Sequence, residues 1–123
     1  MTDNEFFMEL IDSFPIIKPD IELEDIDMIH MRMEIFASYT NKLIEEDDIQ
    51  EVTRCFNFLE LRTDSMSDEL INALNVSYCE ALLLGENAYN MESIVKIMPT
   101  KLSVIYLGYK RYYEWLTHRG SNC

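Results

Sequence analysis

Glycine and proline are scarce, with three of each in a chain of 123 residues. Sheet proteins with many tight turns depend on these two residues, so their scarcity argues against such a fold. Leucine, methionine and glutamate are common instead, and all three are good helix formers. The composition therefore predicts an all-α protein. The length fits a single helical domain over residues 1–123, and 48% hydrophobic residues are enough for a core.

Cysteine is also rare, and its spacing excludes two common uses. Cys55, Cys79 and Cys123 are odd in number and form no CxxC pair, which argues against a disulfide framework and against a zinc site built on thiolates. We expect Cys55 and Cys79 to be reduced and packed in the interior. Cys123 is expected to be exposed.

The parts of common catalytic sites are missing. There are two histidines, no glycine-rich phosphate loop and no nucleophile elbow. The nearest match to the Glu-x-x-His motif of di-iron bundles is Asp27-x-x-His30, which has the wrong acid. The acidic runs 20–27 and 45–51 lack the residue order of a calcium loop. We therefore expect no catalytic residue, metal or cofactor, and a protein that is not an enzyme; His30 is expected to be a partly buried structural histidine.

Long apolar runs are absent, and basic residues are fewer than half as many as acidic ones, 10 against 23. No run reaches the roughly 18 to 20 apolar residues that span a bilayer, and the acidic start MTDNEFFMEL does not resemble a secretory signal. The net charge is −13, and residues 1–69 hold 19 acidic and 5 basic side chains, against 4 and 5 in residues 70–123. This charge argues against nucleic acid and against a membrane. It predicts a cytoplasmic protein with a basic protein partner.

The most apolar stretch predicts a central buried helix at about 67–84, with a start at Ser67 and a left-handed C-cap at Gly85. Its apolar residues cover most of the helical wheel, so the few polar ones are expected to be buried and to need partners. These are Asn72, Asn75, Ser77 and Glu80. For Glu80 we expect a structural role, with a tyrosine hydroxyl or a basic residue of the last helix as partner, such as Lys110 or Arg111.

Apolar periodicity predicts five further helices, at 3–13, about 25–46, about 47–64, about 91–98 and from Pro99 or Thr100 onward. Asp25 is the expected N-cap of the second. Pro15 and Pro19 predict an ordered, extended loop between the first two. The short connections favour a compact bundle of five or six helices in antiparallel hairpins. The far face of the last helix carries Val104, Leu107, Gly108, Arg111 and Trp115.

The helix at 25–46 has two apolar faces. One contains Ile26, Ile29, Met33, Phe36, Ala37, Leu43 and Ile44, and the other contains Met28, Met31, Ile35 and Tyr39. Such a helix is either sandwiched in the core or presents its second face to a partner, and methionine-rich faces are typical of adaptable binding surfaces. Acidic residues flank the second face at both ends of the helix, which gives the apolar centre and charged rim of an interface. The predicted partner-binding residues are Glu24, Asp25, Asp27, Met28, Met31, Ile35, Tyr39, Glu45, Asp47, Asp48 and Glu51.

Three segments carry a family resemblance: FNFLE at 56–60, NVSYCEALLL at 75–84 and YKRYYEWL at 109–116. They resemble a family of small, acidic, all-helical bacterial proteins of uncharacterised function. Glu60, Ser77 and Glu80 are the positions most like the family. The resemblance covers the C-terminal two thirds of the chain. It implies an all-helical domain and brings no catalytic residues with it.

Three functions remain open from the sequence. The first is a protein-binding module, in its most specific form an immunity or antidote protein that docks on a basic toxin, because opposite charge speeds encounter and favours the right partner. The second is a homodimer that buries the methionine and tyrosine faces, with the acidity serving solubility. The third is a small-molecule or metal-dependent enzyme that uses Glu80.

Overall fold

Seven helices make up the computed structural model, which describes residues 1–121 and the side chains of residues 1–118. The all-α prediction is confirmed, and no strand occurs within this range. The helices are α1 (Asp3–Ser13), α2 (Lys18–Leu23), α3 (Ile29–Glu45), α4 (Ile49–Glu60), α5 (68–84), α6 (Met91–Ile94) and α7 (Thr100–Ser121). Short 3₁₀ turns lie at Pro15–Ile17, Thr63–Ser65, Ala88–Asn90 and Val95–Ile97. Cys123 lies outside the described residues.

The segment between α1 and α3 that contains Pro15 and Pro19, which we call the proline segment, is helical, so the prediction of an extended loop there is wrong. The predicted count of five or six helices is wrong as well. Pro15 and Pro19 stand in the first turns of the 3₁₀ turn Pro15–Ile17 and of α2. At those positions a proline breaks no helical hydrogen bond and its fixed φ favours the helix. Ile17 and Ile21 from this segment are buried in the core.

The long helix α3 begins four residues later than predicted. Asp25 does not cap it, because residues 25–28 form a turn in which the amide of Met28 donates to the carbonyl of Asp25 (3.0 Å). Ile26 lies in this turn and is exposed, so its predicted place on the buried face is wrong. The other six residues predicted for that face are buried: Ile29, Met33, Phe36, Ala37, Leu43 and Ile44. The next helix, α4, ends at Glu60, four residues before the predicted end.

The central helix α5 begins as predicted. The Ser67 hydroxyl accepts a hydrogen bond from the amide of Leu70 (3.0 Å), which is a side-chain N-cap. The helix consists of Asp68–Ala73, a π-helical segment Leu74–Cys79 and Glu80–Leu84. Inside the core, the hydroxyls of Tyr78 and Thr40 share a hydrogen bond of 2.8 Å. This bond fixes the π-helical segment against α3.

Gly85 ends α5 for a different reason from the one predicted. Its φ is −83°, so the left-handed C-cap is wrong. A Cβ at this position would overlap the carbonyl oxygen of Ala81. The Asn41 side chain donates to the same oxygen (3.2 Å) and accepts from buried Asn87 (3.0 Å). Only glycine therefore allows the chain to pass this closely over the end of α5.

The last helix, α7, starts at Thr100 as predicted, and a carboxylate from another helix caps it. Glu60, in the last turn of α4, accepts hydrogen bonds from the backbone amides of Lys101 (3.0 Å) and Leu102 (2.8 Å). Its negative charge also lies at the positive end of the α7 dipole. Leu102 and Tyr106 are buried, whereas no residue from 110 to 118 is. Within the described residues, no helix is both long and apolar enough to cross a membrane.

Candidate functional site

A groove of about 650 Å³ lies between the proline segment and α3. We call it the α2–α3 groove. One wall comes from Ile16, Ile17, Asp20 and Glu24, and the other from seven residues of α3 together with Glu46 just after it. Those of α3 are Met31, Glu34, Ile35, Ser38, Tyr39, Lys42 and Leu43. Three other cavities among the described residues are smaller, at about 380, 460 and 290 Å³.

Two adjacent isoleucines of the proline segment, Ile16 and Ile17, form part of one wall of this groove. Ile17 points into the core while its neighbour Ile16 is 68% exposed, because consecutive residues of a short helical turn cannot face the same side. Arg32 of α3 fixes the far end of the segment. Its guanidinium is buried, lies 5.5 Å from the ring centre of Phe7 and donates to the carbonyl of Glu24 (2.9 Å). The wall is therefore tied to α3 at both ends.

Apolar side chains form the floor of the groove and carboxylates form its rim. Leu43 is buried, Ile35 and Tyr39 are half-buried, and Met31 is 42% exposed at the lip. Four carboxylates and one ammonium group surround them: Asp20, Glu24, Glu34, Glu46 and Lys42. An apolar strip with an acidic border can bury the apolar side of a ligand while it attracts cationic groups.

The groove gathers some of the predicted partner-binding residues and leaves others out. Glu24, Met31, Ile35 and Tyr39 line it, so the proline segment forms a wall beside this face of α3 and does not cover it. Three predicted residues next to it are exposed but do not line it: Asp25, Asp27 and Met28.

The other four acidic residues predicted for the interface do not line the groove, and several have local structural roles. Asp48 caps α4 by accepting from the amide of Glu51 (3.3 Å). Glu51 itself forms an ion pair with Arg54. Asp47 holds the turn between the two helices with a φ of 57°. Glu45 is near Glu86, whose hydrogen bond and negative charge raise the pKa of the Glu45 carboxyl group. None of these four residues lines the groove.

Tyr39 connects Glu51 to the groove. Its ring lines the groove, and its hydroxyl lies 3.5 Å from a carboxylate oxygen of Glu51. Burial, followed by the charge of Glu51, raises the pKa of the Tyr39 phenol. The hydroxyl therefore stays protonated at neutral pH and acts as a donor at the edge of the apolar floor.

Several groove residues were missed by the sequence analysis, although one signal was available. Asp20, Glu34 and Lys42 had no predicted role, Glu46 was predicted only as part of the acidic cluster at the end of the long helix, and Ile16 was placed in a loop. Because Ile16 and Ile17 are adjacent, one of them had to face away from the core in any helical turn. An exposed isoleucine between two prolines marks the wall of the groove.

The comparison with known families gives one match. A family model described as a domain of unknown function, DUF7674, matches residues 7–114. The chain belongs to this family. No curated protein and no solved structure matches the chain. The predicted membership of an uncharacterised family is confirmed, and the match extends well into the N-terminal third, which the resemblance did not include.

In this DUF7674 chain, two of the three positions most like the family form hydrogen bonds between helices at α5. Ser77 is buried, and its Oγ lies 2.7 Å from Nδ1 of His30. Glu80 accepts a hydrogen bond from the Tyr109 hydroxyl (2.6 Å), which confirms a tyrosine of the last helix as its partner. Burial, then the hydrogen bond and charge of Glu80, raise the pKa of Tyr109. Both contacts hold α5 to its neighbours, α3 and α7.

The other polar and thiol groups predicted for the DUF7674 core are mostly buried or bonded. Asn75 donates to the carbonyl of Ile71 (3.2 Å), whereas Asn72 is exposed, so its predicted burial is wrong. Cys55 and Cys79 are free and buried, as predicted, and burial raises the pKa of each thiol to about 12. In the part of the chain that the structure describes, no three His, Cys, Asp or Glu side chains form a group that could hold a metal ion.

Proposed function

We propose that this protein is a non-enzymatic protein-binding module and that its α2–α3 groove receives a basic amphipathic helix of a partner protein. The observation that carries the proposal is the combination of an apolar floor with an acidic rim. Helices that bind in grooves insert a stripe of apolar residues and leave their polar side at the border. Here the border has four carboxylates, so the polar side of the partner helix is expected to be rich in lysine and arginine.

The composition of the floor supports a helix as the ligand. Met31 and Ile16 stand on opposite walls and are both substantially exposed, so apolar side chains along one face of an inserted helix can pack against them. Methionine adapts its shape to different partners at low cost. The predicted face of α3 thus keeps its proposed role, with Ile16 of the proline segment added.

The distribution of charge supports a basic partner. The acidic excess lies in residues 1–69, which include both walls of the groove. The negative electrostatic potential of this acidic excess raises the association rate with a cationic protein, and salt weakens this effect. In its most specific form the partner is a basic toxin and the protein its immunity or antidote protein. A cytoplasmic location remains part of this proposal.

A pair of synthetic helical peptides tests the proposal. One has leucines at three- and four-residue spacing on one face and lysines on the other, and the second has glutamates in place of the lysines. We expect the wild-type protein to bind the lysine peptide and not the glutamate peptide in fluorescence anisotropy, with an affinity that falls as salt is raised. Ile16→Asp and Met31→Asp should each weaken binding at least about tenfold, as expected for residues at the centre of an interface.

Two controls separate the groove from general charge attraction. Leu61→Asp adds the same charge at a side chain that is 80% exposed and outside the groove, so its binding should remain close to wild type. The double variant Asp20→Lys with Glu34→Lys reverses two rim charges. Asp25→Lys with Asp27→Lys makes the same change in charge beside the groove. If both double variants lose affinity equally, or if Ile16→Asp binds like the wild type, the groove is not the binding site.

A further inference from the structure

A second cavity, of about 380 Å³, lies between α3 and α5 and adjoins the α2–α3 groove. We call it the α3–α5 cavity. Glu34 and Ser38 of α3 line both the cavity and the groove, so these two side chains form the boundary between them. Ser38 is exposed and short, which makes the boundary low at its position. A long side chain of a ligand in the groove can therefore cross α3 there and enter the cavity.

Two carboxylates line the α3–α5 cavity, and the described residues that line it include no basic side chain. Glu34 is exposed and forms no ion pair within the described part of the chain. Glu80 is half-buried, and its Oε2 accepts a hydrogen bond from the Tyr109 hydroxyl (2.6 Å). That bond fixes the carboxylate and leaves Oε1 as an acceptor. Two negative charges at one cavity repel each other, and a cation placed between them is attracted to both.

The remaining walls of the cavity suit an arginine side chain. Val76, Ala81 and Leu84 of α5 offer apolar surface to its aliphatic part. Ser77 is buried at the wall, and its hydroxyl is held by Nδ1 of His30 at 2.7 Å. A guanidinium group has five N–H donors in one plane, so it can bond to both carboxylates at once, whereas the ammonium group of lysine is a more strongly hydrated point charge. We therefore expect the cavity to prefer arginine to lysine.

We propose that the α3–α5 cavity is a pocket for one arginine of the partner helix, whose guanidinium group binds between Glu34 and Glu80. The inference rests on the proposed function, because the partner helix must lie in the α2–α3 groove for this side chain to cross Ser38. The exposed rim of the groove attracts lysine and arginine alike, whereas the cavity selects arginine at one position of the helix. That position fixes the register of the partner helix along α3.

Two arginine variants of the lysine peptide test the proposal. One has a single arginine in place of a lysine beside the leucine stripe, from which the cavity can be reached. The other has its arginine at the middle of the lysine face, which is directed to solvent. In fluorescence anisotropy the first should bind at least about tenfold more tightly than the lysine peptide, a ratio that we call the arginine gain, and the second within about twofold. Equal affinities of the two arginine peptides overturn the proposal.

Glu80→Gln shows whether the arginine gain comes from the cavity. Glutamine has the same shape and keeps an acceptor for the Tyr109 hydroxyl, and thermal unfolding followed by circular dichroism checks that the fold is retained. Glu80 does not line the groove, so the variant should still bind the lysine peptide, but the arginine gain should fall to about twofold or less. Glu92→Gln removes the same charge at an exposed residue of α6 that lines neither site, and it should keep the full gain. A full gain in Glu80→Gln overturns the proposal.

Leu84→Arg tests the same cavity without changing a carboxylate. Leu84 is 47% exposed at the cavity wall and lies one helical turn after Glu80, so the variant spares the core and supplies a cation from the chain itself. The arginine gain should again fall to about twofold or less, and a full gain overturns the proposal even if Glu80→Gln does not fold. A lysine peptide that binds the wild-type protein without any arginine gain overturns this inference alone. A lysine peptide that does not bind overturns the proposed function, and the inference with it.

Discussion

Replacing Glu60 tests how the last helix is held to the rest of the molecule. Glu60→Ala removes both acceptors for the amides of Lys101 and Leu102 at the start of α7. Leu102 is fully buried, so its amide has poor access to water, whereas the bond to Lys101 is exposed. Glu60→Gln keeps one acceptor oxygen but turns an amide donor toward the other backbone amide. The alanine variant is therefore the more severe change.

The expected loss follows from these two bonds. A hydrogen bond to a charged acceptor contributes about 1.5–3 kcal/mol when its donor is shielded from water, and loss of an N-cap costs about 0.5–2 kcal/mol. We expect Glu60→Ala to lower the free energy of unfolding by about 2 kcal/mol and Glu60→Gln by about 1 kcal/mol. For a chain of this length, 2 kcal/mol corresponds to a decrease in Tm of about 8 °C.

Urea unfolding followed by circular dichroism measures these changes as a shift in midpoint at constant slope. Asp64→Ala is the matched control, because Asp64 pairs with the side chain of Lys101 at an exposed position and leaves the α7 amides bonded. Exposed ion pairs add little to stability, so this variant should unfold at the wild-type midpoint. If Glu60→Ala unfolds no earlier than Asp64→Ala, Glu60 does not cap α7 in solution.

Two further predictions concern the glycines and the buried titratable groups. Gly85→Ala should lower the free energy of unfolding by about 2 kcal/mol or more, because the new Cβ meets the carbonyl oxygen of Ala81. Gly108→Ala should raise the free energy of unfolding by about 0.5–1 kcal/mol, because its Cβ meets no atom. Equal urea midpoints for the two variants would refute the contact at Gly85. Burial raises the pKa of Tyr106 and of the two buried thiols to about 12, so the folded chain keeps protons that the unfolded chain releases near pH 9 to 10. The free energy of unfolding should therefore fall as the pH rises from about 9 toward 12. In Tyr106→Phe, the part of this fall above about pH 10 should be less steep. A free energy of unfolding that is constant over this range would contradict the burial of these groups.

Periodicity and capping residues predicted the parts of the fold that depend on local sequence. Ser67 and Pro99 mark the starts of α5 and α7, and the buried face of α3 was recognised except for Ile26. The short helix α2 was missed because proline was interpreted as a helix breaker, although it is favourable in a first turn. The antiparallel arrangement of the helices in hairpins stays a prediction.

The candidate sites depend on residues that are distant in the sequence, and this limited the prediction. Four residues of the predicted interface line the groove, three of them on α3, but the other wall comes from a segment whose structure was predicted incorrectly. His30 and Ser77 are 47 residues apart, and Glu60 reaches amides more than 40 positions away. No local pattern indicates such pairs. Glu80 was the exception, because a carboxylate on a nearly apolar helix requires a partner, and tyrosines were the most numerous polar groups on the last helix.

The π-helical segment Leu74–Cys79 gives α5 a tolerance that the other helices do not have. A π turn holds one residue more than the α turn it replaces, since each hydrogen bond spans five residues instead of four. Deleting one residue from this segment allows the remaining residues to wind as a regular α-helix, with the residues before and after it still directed as they are now. A deletion elsewhere in α5 would rotate one end about 100° relative to the other and move the core residues Leu70 and Leu82 out of alignment. Length variation in this helix is therefore structurally acceptable at one place only, and that place contains Ser77.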